Sequence, residues 1–468
     1  MESNIKKIYD KAPVVIQNLG VSAFSFLLDR ERYRGRFKEY QDFLEQSQWY
    51  NLSQQDTYQN DKLQKLLSYA YNRVPYYRKI MDERKLLPVD IRSIADLHKL
   101  PVLTKDDIRR NFSELLSADY KYKTVRKGHT SGTTGTPLEV CYSNDMIQMN
   151  YALLDRQYRW ADARLGKFGD RVAVIRGNVI VPLQQKKPPF WRHNYVYRQL
   201  LLSAFHLSTE NLHFYIDEIK RFRPKILDGY PSTLYVIAKY LKNNNEKLKL
   251  HAVISASETL FDFQREIIEE SFDCRMFDYF ASAERVLFAT ECDKHMGHHI
   301  SSEYGVTEVL GSNQEPAGEG EEGTLVATSL HNYAMPLIRY VTNDRTALKA
   351  IPCTCGRDLP LMEDVTTKAE DLITLKDGRL ISPSVLTHPF KPLVGITESQ
   401  IIQERPDYIR VLIVPGKEFS REDGWQLVRG LEERLGEGVE VDIEIVDRLE
   451  RKGSGKFKWV ISNVDVGI

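Results

Sequence analysis

From Glu31 to Arg92 the apolar and aromatic positions recur at helical spacing, as in "DKLQKLLSYAYNRVPYYRKIMDE". Pro75 predicts the end of that helix. "LHKLPVLTKDDIRRNF" predicts a new one, with Thr104 as N-cap and acids in its first turn. Farther along, short apolar runs ("RVAVIRG", "PKILDGY", "HAVISASETL", "CRMFDYFAS") alternate with amphipathic stretches ("TENLHFYIDEIKRF", "PSTLYVIAKYLKNN"). Strand–helix alternation of this kind predicts an α/β domain built on mostly parallel sheets flanked by helices. Between Gly297 and Ala350 β-rich runs are separated by Gly-rich turns such as "EPAGEGEEGT". Near Glu370 the pattern resets. "DLITLKDGRLIS" reads as a hairpin turning at Asp377-Gly378, and "YIRVLIVPG" and "VEVDIEIVD" read as strands around the helix "EDGWQLVRGLEERLG". The expected organisation is a large N-terminal domain (1–367, of which 1–100 is mostly helical) and a small α+β C-terminal domain (368–468) that moves about a short hinge.

The first thirty residues carry an apolar stretch interrupted by Gln17, Asn18, Ser22 and Ser25, with no small-residue cleavage site after it. We read it as a retained amphipathic helix that packs on its own domain, with docking on a membrane surface as the alternative. No apolar run is long enough to cross a bilayer. Lys plus Arg and Asp plus Glu both number 65, so the formal charge is zero and nucleic acid is not expected as a partner. Five cysteines without a secretion signal suit a reducing, cytoplasmic setting better than a disulfide framework.

Four stretches suggest chemistry. In "HTSGTTGTP", Gly132 and Gly135 allow close backbone approach, and Thr130, Ser131, Thr133, Thr134 and Thr136 add hydroxyl donors. Such a loop forms either an anion cradle or a plain hairpin turn, and it lacks the Lys-Ser/Thr of a Walker A loop. In "MPLIRYVTND", Asp344 follows a strand-like run, where a carboxylate accepts two vicinal ribose hydroxyls or merely sits in a surface turn. In "FDYFASAE", Phe280 and Glu284 suit base stacking and Mg²⁺ binding, or a simple passage from strand to helix. In "RKGSGKFKW", Lys456 sits in a Gly/Ser loop or an exposed basic turn.

The order of "TSGTTGTP", "SASETL", "FDYFASAE", "PLIRYVTND" and "GSGKFK" resembles the adenylate-forming superfamily of acyl- and aryl-CoA ligases. "YAYNRVPYYRKIMDE", "LHKLPVLTKDDIRRNF" and "ILDGYPSTL" bring the resemblance to the phenylacetate–CoA ligase family, in its CapK-like, coenzyme-F390-synthetase-like branch associated with capsular polysaccharide. The resemblance implies that Thr130 to Thr136 wrap the phosphates of ATP, that Ser257 and Glu258 line the adenine pocket and that Phe280 stacks on the base. It further implies that Glu284 binds Mg²⁺, that Asp344 holds the ribose and that Lys456 approaches the α-phosphate. Coenzyme A is the implied acceptor. An amine, as on an amino sugar, is the alternative acceptor, and a nucleotide-binding scaffold without turnover is the alternative function. The chain departs from the family pattern at Thr136 (often Lys or Arg), Phe280-Ala281 (Tyr-Gly), Asn343 (Gly) and Thr367-Lys368 (Gly-Arg), while Glu370 keeps the hinge acid.

Two further readings concern metal and substrate. Cys292, His299, Cys353 and Cys355 make a Cys₃His set suited to tetrahedral structural Zn²⁺, with His295 or His298 as substitutes for His299. Some members of the resembled family carry zinc at matching positions. "KKPPFWRHNYVYRQLLLSAFHLS" is expected to line the acyl pocket. Its Trp191, Arg192, His193, Tyr197 and Arg198 favour a polar carboxylate, and His206 resembles half of the superfamily's aromatic–His gate.

Overall fold

The computed structural model describes residues 2–468 except 130–137, 209, 312, 366–371, 382, 391, 394, 417, 437, 448, 450–458 and 465–468, with the backbone alone at 2–5, 343, 380, 384 and 397. The chain opens with helices α1 (Glu2–Lys11), α2 (Val14–Arg32), α3 (Phe37–Ser47), α4 (Leu52–Arg73) and α5 (Pro75–Glu83). At the start of α4, Asn51 and Gln54 cap each other's backbone N–H reciprocally. Pro75 does two things at once: α4 stops at Arg73, and Pro75 becomes the first residue of α5, where its missing N–H costs nothing. Thr104 caps α6 (Lys105–Arg110) in a box with Asp107, as its sequence predicts. The short α7 (Phe112–Leu115) follows.

Strands β1 (Arg126–His129) and β2 (Glu139–Tyr142) then pair antiparallel, so ordered structure brackets the Gly/Thr segment 130–137. After α8 (Asn144–Trp160) come β3 (Val172–Arg176), β4 (Trp191–Asn194) and β5 (Gln199–Ser203). The predicted alternation follows: α9 (Leu212–Phe222), β6 (Ile226–Gly229), α10 (Pro231–Asn243), β7 (Ala252–Ala256), α11 (Asp262–Phe272) and β8 (Arg275–Ala281). Next are β9 (Phe288–Glu291), β10 (His298–Ile300), β11 (Gly305–Leu310), β12 (Gly323–Ser329), β13 (Tyr340–Thr346) and β14 (Leu361–Met362). The principal sheet has nine strands in the order β14-β10-β9-β8-β7-β6-β3-β5-β4. Its centre, β5-β3-β6-β7-β8, is parallel, and the strands outside it are antiparallel. A second, antiparallel sheet is β11-β12-β13.

The C-terminal part begins with the hairpin of β15 (Ile373–Thr374) and β16 (Leu380–Ile381), turning through Gly378 at positive φ, as the Asp-Gly pair predicts. After the short α12 (Pro383–Leu386), β17 (Ile396–Arg405), β18 (Tyr408–Pro415), α13 (Arg421–Leu435), β19 (Glu440–Ile445) and β20 (Val460–Ser462) form a four-stranded sheet, order β19-β18-β17-β20. Leu427, Leu431 and Trp459 are buried in an apolar cluster that also takes in Tyr215, Leu234 and Phe272 of the large sheet's helices. A second cluster sets Leu63, Leu66 and Leu67 of α4 against Leu325 and Tyr340 of the second sheet. Each such leucine contributes about 1.5–3 kcal/mol by leaving water.

The α1–α2 hairpin inverts the usual rule. The side chains that α2 buries are Gln17, Asn18, Ser22 and Asp29, whereas Val15, Ile16, Leu19, Phe24, Phe26 and Leu27 are exposed. The helix does pack on its own domain, but through its polar side. No helix among the described residues is long and apolar enough to cross a membrane.

Below α8 the interior holds an ion pair. Arg156 donates to Glu303 at 2.8 Å and to Ser301 Oγ at 2.9 Å, and Ser47 Oγ donates to Glu303 at 2.7 Å, all of them buried. Removing one partner strands the other charge without water, a loss of about 3–5 kcal/mol. Arg156→Ala should therefore lower the urea midpoint sharply. A change within about 0.5 kcal/mol, the range of ordinary surface substitutions, would mean that water reaches Glu303.

Candidate active site and metal centre

In a parallel sheet every strand ends on the same side, and ligands of open α/β sheets bind at those carboxyl ends. Here the register sets Ala256 of β7 beside Tyr279 of β8 and Gly229 of β6 beside Ile175 of β3 and Ser255 of β7. The residues that follow each strand are thereby gathered on one edge: His206 after β5, Tyr230 after β6, Ser257 and Glu258 after β7, and Phe280 to Glu284 at and after the end of β8. Ser257 is exposed and holds a positive φ of 75°. Glu258 accepts the N–H of Ser232 at 3.1 Å, capping the first turn of α10. Phe280 is half-buried, so part of its ring is open to a ligand.

Glu284 is buried, and its Oε1 accepts the hydroxyl of Tyr340 from β13. Burial first, and the Glu284 carboxylate second, hold the Tyr340 phenol well above its ordinary pKa, so it is a fixed donor. Asp344 lies farther along β13, inside the strand rather than at its end, and its field also acts on Tyr340. The turn after the first sheet's β8 and strand β13 of the second sheet are thus joined by the Tyr340–Glu284 hydrogen bond. Nothing in the sequence marks Tyr340 as part of the site, because its partner is 56 residues away. Arg176 at the end of β3 is a second unanticipated member. It pairs with Asp228, to which Tyr158 also donates, and lies under Tyr230 and Tyr279.

His206 is buried against Phe190, with ring centroids 5.1 Å apart, and its Nδ1 meets Ser203 Oγ at 2.8 Å. Burial, reinforced by the Arg379 cation, pushes its pKa down to about 4, so it is neutral near pH 7. Arg379 comes from the C-terminal part and donates to the carbonyl of Phe205 at 3.1 Å. The same part sends His388 toward the end of β3: a Cβ placed on Gly177 would stand 3.2 Å from His388 Nε2. The C-terminal part therefore reaches the carboxyl edge at two points.

The expectation of a polar acyl pocket needs correction. Arg192 is fully buried, and its guanidinium donates to Gln17, Gln185 and the carbonyls of Pro189 and Trp191. His193 pairs with Glu218, Tyr197 donates to Asp29, and Arg198 donates to the carbonyl of Gly169. The polar groups of this stretch hold α2, α9 and the neighbouring loop, so they say nothing about the acid. Thr130, Ser131, Gly132, Thr133, Thr134, Gly135, Thr136 and Lys456, with the expected hinge at 367–371, lie outside the described residues.

At the far end of the sheet Cys292, His299, Cys353 and Cys355 bring their ligand atoms within 4.8 Å of one another. Cys292 and Cys353 sulfurs are 3.6 Å apart, and Cys355 Sγ lies 3.5 Å from His299 Nε2. Bond lengths of about 2.3 Å to sulfur and 2.0–2.1 Å to nitrogen make tetrahedral edges of about 3.5–3.8 Å, so a zinc ion fits this set. His299 Nδ1 faces the carbonyl of Leu359 at 3.4 Å, which leaves Nε2 as the lone-pair nitrogen. Backbone N–H groups of Lys294 and Arg357 point at the sulfurs of Cys292 and Cys355. Burial pushes His299 down to about 4, which keeps it neutral as a ligand must be. His298 instead turns to Asp278 and Asp364, and His295, in the turn before, faces Glu291.

A nine-stranded α/β sheet with a parallel centre, an antiparallel second sheet and a small α+β C-terminal domain is the fold of the adenylate-forming ligases. Among solved structures, a 2-hydroxyisobutyryl-CoA ligase in complex with its acyl-AMP and CoA superposes with a TM-score of 0.58 at 19% identity, covering 89% of this chain and 91% of that one. The profile of the CapK C-terminal domain matches residues 373–463. Protein CapK of Staphylococcus aureus is 28% identical over 463 residues, covering 98% of this chain and 99% of that one. The phenylacetate–coenzyme A ligase of Thermus thermophilus is 27% identical over 342 residues, 68% of this chain and 71% of its own. That of Escherichia coli is 26% identical over 336 residues, 70% of this chain and 74% of its own. The chain is thus similar to CapK over nearly its whole length, and to phenylacetate–CoA ligases over a shorter part of it.

Burial also sets a pH dependence. His206 and His331 both titrate near 4 in the fold, against an ordinary value of 6.5. Between those values the unfolded chain binds more protons than the folded one, so stability falls as pH drops from about 6.5 to about 4. Urea midpoints should decline across that window, before most carboxylates titrate. A flat profile down to pH 4.5 would show that these two imidazoles are reached by water.

Proposed function

We propose that the protein is an ATP-dependent, AMP-forming ligase that activates a carboxylate as its acyl-adenylate and passes the acyl group to coenzyme A. The observation that carries this reading is the convergence of Ser257, Glu258, Phe280 and Glu284 on one carboxyl edge, with Tyr340 of the second sheet donating to Glu284. A half-exposed aromatic ring beside Ser257 suits a purine base, and Asp344 suits the two hydroxyls of a ribose. Glu284, steadied by a phenol that cannot ionise, is the residue that would hold Mg²⁺, which would screen the phosphate charges of ATP.

In the first half-reaction a carboxylate oxygen attacks the α-phosphorus and the bond to pyrophosphate breaks. Lys456 offsets the charge that develops on the oxygens of substrate and phosphate, a role worth about 10²–10³-fold in rate for a preorganised donor. In the second, the thiol of coenzyme A attacks the acyl carbon, AMP leaves with the bonding electrons, and the thiol proton goes to solvent. The C-terminal domain, reaching the edge through Arg379 and His388, is placed to cover one half-reaction and to reorient for the other. Polysaccharide biosynthesis is the setting that the similarity to CapK suggests.

Hydroxylamine intercepts an acyl-adenylate whatever the natural acceptor is. Purified protein given Mg·ATP, hydroxylamine and a metabolite extract should yield an ATP-dependent hydroxamate by mass spectrometry, diminished at least a hundredfold by Lys456→Ala and by Glu284→Gln. ATP binding without any hydroxamate would favour a scaffold and overturn the ligase reading.

We further propose that Cys292, His299, Cys353 and Cys355 hold a structural Zn²⁺. All four positions are protein donors, which leaves no place for a reactive water, and thiolates kept for a metal suit a reducing compartment. The purified protein should contain one zinc per chain by mass spectrometry. Cys353→Ser should lose it and lower the unfolding temperature by several degrees, since a ligand bound only to the native state stabilises it. A full-length, stable protein without zinc would refute the site.

A further inference from the structure

A helix at a protein surface normally turns its apolar side inward. Helix α2 does the reverse, and its attachment explains how. The polar side is held by a row of hydrogen bonds to β4 and its neighbours. Arg192 donates to Gln17 at 2.5 Å, the N–H of His193 to Asn18 at 3.0 Å and the N–H of Tyr195 to Ser22 at 3.0 Å. Asn194 donates to Ser25 at 2.9 Å, and Tyr197 and Lys167 donate to Asp29 at 2.7 and 2.9 Å. With the polar face fixed in this way, the apolar stripe Val15, Ile16, Leu19, Phe26 and Leu27 faces solvent, Leu27 being 73% exposed. Phe24 is exposed beside it. The loop after α8 adds Phe168, 98% exposed, next to Lys167, whose ammonium lies 4.8 Å from the ring of Phe26. A contiguous apolar patch of this size marks an interaction site.

Charge decides among occupants. Exposed Lys7 and Lys11 precede the stripe, Lys6 being turned to Glu433 at 3.9 Å, and exposed Arg30 ends it, one turn beyond Phe26 and Leu27. The acids of the same segment are engaged: Asp29 is buried under Lys167 and Tyr197, Glu31 pairs with Arg126, and Asp10 sits beside Lys6. A second copy of the chain, in either orientation of the helix, would set cations against cations at both ends. An anionic surface meets both ends at once. The stripe spans about 20 Å at 1.5 Å per residue, a length that lies flat in a headgroup layer. We infer that α2 and Phe168 form a docking surface for the anionic face of a lipid bilayer, with the apolar stripe in the acyl boundary and the flanking cations on the headgroups. This would hold the protein at a membrane surface through one face of a helix.

Sedimentation of the full chain with vesicles of phosphatidylcholine and phosphatidylglycerol in equal parts, against pure phosphatidylcholine, tests it. Binding to the anionic vesicles should exceed binding to neutral ones at least tenfold and weaken in high salt. Leu19→Glu with Leu27→Glu should abolish it while leaving the hydroxamate assay and the unfolding temperature unchanged, because both side chains are exposed. Phe24→Trp should shift its emission to the blue, and be quenched by brominated acyl chains, only with anionic vesicles. Protein left in the supernatant with both vesicle types overturns the inference. So does equal binding by the double variant. A dimer by sedimentation velocity, dissolved by the double variant and indifferent to vesicles, would assign the face to a second copy instead.

Discussion

The site depends on one constraint, the hydrogen-bond register of the parallel strands β5, β3, β6, β7 and β8. Parallel pairing fixes not only which strands are neighbours but where each one ends, because a slip of one residue would exchange the two faces of the sheet. With the ends aligned, residues separated by dozens of positions meet on one edge: His206, Tyr230, Ser257 with Glu258, and Phe280 with Glu284. None of them needs a special local conformation to be there except Ser257, which leaves its strand at positive φ. The second sheet then docks Tyr340 on Glu284 and so fixes Asp344 relative to the first. An active site built this way inherits the rigidity of a buried sheet, which catalysis by preorganised charge requires.

The cluster of Cys292, His299, Cys353 and Cys355 illustrates what pattern reading resolves and where it stops. Three cysteines and a histidine-rich segment are visible as types of donor, but Cys292-Asp-Lys-His-Met-Gly-His-His offers three imidazoles at similar chain distances. The choice follows from strand geometry. His298 and His299 are neighbours on β10, so their side chains leave opposite faces. One turns to Asp278 of the sheet interior, the other to the thiols. His295 precedes the strand, in a left-handed turn conformation. Knowing that β10 begins at His298 would have been enough, and strand boundaries are what periodicity defines least sharply. The strands and helices themselves were legible because their apolar positions alternate or recur at helical spacing. The Thr104 cap and the Asp377-Gly378 turn were legible for the same reason, being local chemistry.

Non-local partners were not legible. The hydrophobic pattern of α2 announces an amphipathic helix, yet it cannot say which side the rest of the molecule will accept. That is decided by β4 and the hairpin beyond it, which present backbone N–H groups and a buried guanidinium instead of an apolar surface. The same fact undoes the reading of Arg192, His193 and Tyr197 as pocket residues. The side chains of Arg192 and Tyr197 answer the polarity of α2, while that of His193 pairs with Glu218 of α9. Without α2 the buried Nε of Arg192 would lose Gln17 as its acceptor, while its terminal nitrogens keep Gln185 and the carbonyls of Pro189 and Trp191.

The position of the C-terminal domain poses the sharpest physical problem for a two-step ligase. Its apolar cluster runs from Leu427 and Trp459 into Tyr215 and Leu234 of the large domain, and extensive apolar contact opposes domain motion. The polar contacts at the carboxyl edge are of another kind. Arg379 gives its guanidinium to the Phe205 carbonyl, to its neighbour Asp377 and to the carbonyl of Leu435. The last two partners belong to its own domain, so rotation away from Phe205 would leave Arg379 still largely paired. A contact that can be surrendered without stranding a charge is well suited to being broken once per turnover. The cation would also withdraw from His206, whose depressed pKa it helps to maintain.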